Sequence, residues 1–136
     1  MITIIDIESI VFSRANTALI ETFNPIFVTG EFISIPPSFP AVGIVEIDNS
    51  AYQRSQDAQS HEHHAGLLYQ VDAFSNLAKG RKSQCKQLIA VVDDVMQSLF
   101  FTRISCLPTP FENPSTYRMT ARYRAVVSRD GQMYRR

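Results

Sequence analysis

The sequence predicts an α+β two-layer sandwich: a largely antiparallel sheet with two helices packed on one face, and a projecting loop or hairpin arm. Three observations carry this. Two segments repeat apolar residues at three- and four-residue steps, whereas the others alternate every second residue. The alternating segments mostly follow one another through turns, without the helical crossovers that parallel pairing requires. At 136 residues, the chain is expected to form one domain over 1–136 with a core that needs no staples.

The first helix is read from Ile7, Ile10, Val11, Ala15, Ala18, Leu19, Thr22 and Phe23, which fall on one helical face. Thr3, three residues before Asp6, resembles the start of a capping box. Asn24-Pro25 ends the helix, because proline disfavours helical backbone in the residue before it. "IFVTGEFISI" then reads as extended, with Gly30 at a bulge or turn. "PPSFP" is a stiff connector that cannot continue a ladder.

"AVGIVEI" is apolar on both faces, with Val42 and Ile44 pointing one way and Val45 and Ile47 the other. Such a strand is covered on both sides, by its own chain or by a neighbouring subunit. Residues 48–62, "DNSAYQRSQDAQSHE", are polar and form the expected arm. "LLYQVDAFS" alternates as a strand, with Leu67, Tyr69, Val71 and Ala73 on one face and Leu68, Gln70, Asp72 and Phe74 on the other.

The second helix carries the stripe Cys85, Leu88, Ile89, Val92, Val95, Met96 and Leu99. Lys79, Arg81, Lys82 and Lys86 crowd its start, the wrong sign for the helix dipole, so a partner or the acidic half of the chain is expected to face them. "FFTRISCLP" and the proline-rich "PTPFENPS" follow. "TYRMTARYRAVVS" then alternates strictly, with Tyr117, Met119, Ala121, Tyr123, Ala125 and Val127 inward and Arg118, Thr120, Arg122 and Arg124 outward. Asp130-Gly131 signals a hairpin into "QMYRR".

Net charge is zero but unevenly spread: residues 1–78 carry a balance of −7 and residues 79–136 one of +7. Two readings stand. Opposite poles could join copies or neighbours head to tail, or the fold could intermix the two halves in one sheet. No segment approaches the roughly 20 apolar residues of a membrane helix, and no membrane partner is expected. The N-terminus, with Asp6 and Glu8 and no basic region, does not read as a secretory signal. Cys85 and Cys106 accordingly read as free, mostly buried thiols of a reducing compartment.

Catalytic patterns fail one by one. "SHEHHAG" gathers all three histidines, but a helical zinc motif needs His-Glu-x-x-His, and Ala65 stands where the second histidine must be. His61, His63 and His64 read instead as lining a subunit contact where the arm enters the strand. There is no nucleophile elbow and no glycine-rich phosphate loop. Asp93-Asp94 are adjacent on a helix and diverge by about 100°, so they read as a solvated face. No catalytic residue, metal or cofactor is expected. The arginine row Arg118, Arg122 and Arg124 is the best remaining constellation, suited to acidic residues of an adjacent subunit or to phosphate.

Three long strings carry a family resemblance: "VTGEFISIPPSFPAVGIVEIDNSAYQR", "YQVDAFSNLAKGRKSQCKQLIAVVDDVMQSLFFTR" and "PTPFENPSTYRMTARYRAVVSRDGQMYR". With them the chain resembles the tail terminator (tail completion, or minor capsid) proteins of long-tailed bacteriophages and prophages of Gram-positive bacteria. Two positions depart from the pattern. Phe100 stands where the family carries glycine before Phe101-Thr102-Arg103, and Phe111 where asparagine follows Pro110. The first puts the end of the second helix in question, since glycine takes the left-handed conformation there without steric cost.

The resemblance implies a structural virion protein of the neck and no enzyme. It implies a ring, typically a hexamer, that caps the tail tube, ends tail polymerisation and joins the tail to the head-side connector, with genomic DNA passing through the lumen without sequence-specific binding. Its other partners would be the tail tube protein and a connector or head-closure protein, assembled in the host bacterial cytoplasm and kept in the virion. Arg118, Arg122, Arg124, Lys79, Arg81, Lys82, Arg54 and Tyr52 are the candidate subunit or lumen contacts. The alternatives are a head-closure or head–tail joining protein, a nucleic-acid-binding module using the C-terminal arginine face, and, third, a metal-dependent enzyme at the histidines.

Overall fold

The computed structural model describes residues 5–51, 64–128 and 132–134. In chain order the elements are α1 (Glu8–Thr22), β1 (Phe27–Thr29), β2 (Ala41–Ala51), β3 (His64–Ser75), α2 (Arg81–Ser98), β4 (Thr102–Thr109), β5 (Tyr117–Ser128) and β6 (Met133–Tyr134). One sheet runs in the order β1-β2-β3-β5-β4, and β6 pairs with the end of β5 that extends past β4. Only β1 beside β2 is parallel. The two helices pack on each other and on the sheet, which is the predicted α+β sandwich.

The core follows from the alternation. Val42 and Ile44 of β2, Leu67, Tyr69, Val71 and Ala73 of β3, and Met119, Ala121, Tyr123, Ala125 and Val127 of β5 all turn to the helix layer. Val11, Ala15 and Leu19 of α1 and Cys85, Leu88, Ile89, Val92 and Met96 of α2 close it from above. Burial of this apolar surface is the main favourable contribution to folding.

Several local expectations are corrected. Helix α1 begins at Glu8 without a side-chain cap on its N-cap Ile7, and the Asp6 carboxylate takes the Glu8 N–H at 3.0 Å instead. Thr3 lies outside the described residues. Ile10 is 53% exposed because it sits one position off the stripe set by Ile7, Val11 and Ala15. In "IFVTGEFISI" only Phe27–Thr29 is strand: the Thr29 hydroxyl accepts the Glu31 N–H at 3.2 Å and turns the chain out of the ladder.

That turned segment folds back over the second face of β2. A Cβ on Gly43 would stand 3.3 Å from both the Glu31 carbonyl and Ile33 Cδ1, so glycine allows the close approach. The other face of β2 is therefore partly covered by its own chain at this point. The polar run starting at Asp48 begins inside β2, which reaches Ala51, and the remainder of the expected arm lies outside the described residues.

Helix α2 ends in an unusual cap. The Phe101 N–H bonds to the Met96 carbonyl at 2.9 Å and the Phe100 N–H to the Gln97 carbonyl at 3.0 Å, the paired bonds of a Schellman motif. Phe100 occupies the left-handed position with φ 66. The non-glycine residue thus adopts the conformation for which glycine is favoured, and Phe101 is carried into the core with full burial.

Candidate functional site

The sheet face opposite the helices is lined by alternate residues of four strands. Cross-strand register sets Gln70 beside Arg122, Asp72 beside Thr120 and Phe74 beside Arg118 on the β3–β5 pair. On the other side of β5, Ser105 lies beside Arg122, Leu107 beside Thr120 and Thr109 beside Arg118. The alternation that buries Tyr123 and Ala121 puts the arginines here as a geometric consequence.

These residues form one hydrogen-bonded network. Arg118 donates through Nε to Asp72 Oδ1 at 3.1 Å, and its Nη2 lies 3.0 Å from the same oxygen. The Thr120 hydroxyl also donates to Asp72 Oδ1 and accepts from the Thr109 hydroxyl. Gln70 Nε2 donates to Asp72 Oδ2 at 3.0 Å, while Gln70 Oε1 accepts Arg122 Nε at 3.2 Å. Asp72 is 5% exposed, so its charge is supported by four donors and not by water. The Arg118 guanidinium also lies 5.6 Å from the centre of the Phe74 ring.

On the sheet the two halves of the chain meet: Asp72, from the acidic half, pairs with Arg118 from the basic half. Arg122 and Arg124 are exposed on the same face. Lys79, Arg81 and Lys82 stand elsewhere, at the start of α2 in the helix layer, where the N-cap Gly80 has φ 85 and offers no side-chain cap. Arg81 Nη1 donates to the Leu77 carbonyl at 3.1 Å. Arg54 and Tyr52 lie outside the described residues, as do His61 and His63, whereas His64 opens β3.

Asp93 corrects the expectation of a solvated acidic pair. It is 8% exposed and accepts hydrogen bonds from the Tyr123 hydroxyl at 2.8 Å, Gln97 Nε2 at 2.7 Å and Arg103 Nη1 at 3.2 Å. Only Asp94 of the pair is exposed. Burial, reinforced by the Asp93 carboxylate, pushes the Tyr123 hydroxyl well above the ordinary tyrosine range. Burial likewise raises Tyr69, whose cross-strand neighbour Glu46 adds to the effect, and lifts the Glu46 carboxyl above the usual range.

The environment of Cys85 is that of a core thiol. Cys85 is fully buried, 3.4 Å from the Tyr117 carbonyl, and burial pushes its thiol up to about 12. Cys106 is exposed on β4, correcting the expectation of mostly buried thiols, because β4 is an edge strand with one uncovered side. Among the described residues, no three His, Cys, Asp or Glu side chains are grouped to hold a metal ion. Nor is any described helix long and apolar enough to cross a membrane.

The sequence pattern located the arginine row but missed its anchors. Gln70 and Asp72 were legible as polar residues in an otherwise apolar strand, and the strand pairing alone reveals that they face Arg122 and Arg118. No family model matches the chain, and no curated protein matches it either.

Proposed function

We propose that this chain is a structural protein of the phage neck: one subunit of a ring, typically hexameric, that caps the tail tube, ends its polymerisation and joins it to the head-side connector. DNA passes through the lumen. Its partners are other copies of itself, the tail tube protein and a connector or head-closure protein, and its place is the virion after assembly in the bacterial cytoplasm. The role is structural and not catalytic.

The three family-like strings carry the reading, and one structural observation supports their alignment. The resemblance aligns Phe100 with a family glycine, and Phe100 has φ 66 inside a Schellman cap. The position whose backbone favours glycine is the one where the family supplies it. A closed ring needs two different, complementary subunit faces. The uneven charge of the chain, with Lys79, Lys82 and Lys86 exposed at the start of α2, suits such an interface.

A second reading, a nucleic-acid-binding module, is favoured by the exposed Arg122 and Arg124 on the open sheet face. It requires a protein that binds DNA as a monomer with steep salt dependence. Electron microscopy of particles assembled without the chain separates the two. Tails of uncontrolled length, or tails that fail to join heads, support the terminator role; normal particles contradict it.

A further inference from the structure

The network on the open sheet face borders a hollow of about 290 Å³, with Arg118 and Arg122 at its two ends and Thr120 and Leu107 between them. We propose that this hollow is a binding site for a phosphate-class oxyanion. The site stands independently of the ring reading, because it uses only contacts within one chain.

The arginines are held before any ligand arrives. Arg118 is tied through Nε and Nη2 to Asp72 and stacked near Phe74, and Arg122 is tied through Nε to Gln70. A guanidinium has five N–H donors in a fixed fork, so anchoring at Nε orients the remaining donors without consuming them. Holding long side chains in place in advance removes part of the entropy that binding would otherwise cost.

The charge balance favours an anion. Asp72 offsets one of the two guanidinium charges and leaves the other uncompensated within the network. The Asp72 carboxylate is buried beneath the surface, and both its oxygens already accept hydrogen bonds, so it presents little acceptor surface to the hollow. Ser105, paired with Arg122 across the strands, places a hydroxyl on the same rim. A single water needs only about 10–15 Å³ of such space, so the hollow has room for a small tetrahedral oxyanion.

Equilibrium dialysis with labelled inorganic phosphate at fixed ionic strength tests the site. The full chain is expected to bind one phosphate saturably, and Arg122→Gln to weaken binding at least tenfold. Arg14→Gln, on the exposed side of α1, leaves binding within twofold. A single-stranded oligodeoxynucleotide added as competitor distinguishes the source: displacement of phosphate identifies a phosphodiester ligand, and no displacement identifies a free anion. Absence of saturable binding, or equal binding by Arg122→Gln, overturns the proposal. Circular dichroism and unfolding of both variants establish that each is folded.

Discussion

The Tyr123 hydroxyl reaches out of the sheet and donates a 2.8 Å hydrogen bond to Asp93 of α2, joining the two layers through a buried polar contact. Arg103 of β4 approaches the same carboxylate oxygen at 3.2 Å, so one side chain links α2 with two strands. Arg103 is half exposed, and its share is correspondingly small. Replacing Asp93 with Ala should destabilise the fold by about 3 kcal/mol, since it leaves the buried tyrosine hydroxyl unsatisfied. Tyr123→Phe should cost about 1 kcal/mol, and the double variant less than the sum of the two. Urea unfolding of the four proteins measures this, and strict additivity would show that the contact carries no coupling.

Alkaline pH should unfold the protein through its buried tyrosines. Tyr69 and Tyr123 are both raised, chiefly by burial, so the folded state keeps protons that the unfolded chain loses near pH 10. Their contribution is fully present below that pH and falls as pH rises above it. In a spectrophotometric titration, two of the five tyrosines should ionise only with unfolding. Ionisation of all five with native circular dichroism intact would contradict this.

Phe100 offers a stabilising change. A side chain at φ 66 carries a steric cost that glycine avoids, and Phe100 is 51% exposed, so little burial is lost on its removal. Phe100→Gly should raise stability by about 1 kcal/mol, and Phe100→Val should lower it by a similar amount. Chemical denaturation decides the sign. A destabilised glycine variant would mean that the ring contributes more than the backbone conformation costs.

Asp72 should be the sensitive member of the outer-face network. Asp72→Ala removes the acceptor for Arg118, Thr120 and Gln70 together and should destabilise by about 3 kcal/mol. Arg122→Gln, at an exposed position with one bond to Gln70, should cost less than about 1 kcal/mol. Equal effects of the two substitutions would show that the network is not centred on Asp72.

Much of this architecture was legible because periodicity reports burial. The stripe from Cys85 to Met96 and the alternation from Tyr117 to Val127 each named the core face that the structure displays. What was not legible depended on partners distant in sequence. Asp93 looked like half of a solvated pair because a helical pattern contains no information about Tyr123, 30 residues away. Asp72 and Arg118 meet across 46 residues for the same reason. The segment after Thr29 looked extended because its apolar residues do serve a sheet, but by covering Gly43 and not by joining the ladder. Backbone strain at Phe100 is not written in the residue itself: the left-handed φ 66 is set by the helix end, and only the resemblance, with its glycine at this position, points to it.

On the proposed function, this chain ends the growth of a tail tube. The most direct test adds the purified chain to tail tube protein undergoing polymerisation and follows tube length by electron microscopy. Elongation is expected to stop on addition, with a ring of the chain seen at the closed end. Tubes that keep lengthening at the same rate, with no added density at either end, would contradict it.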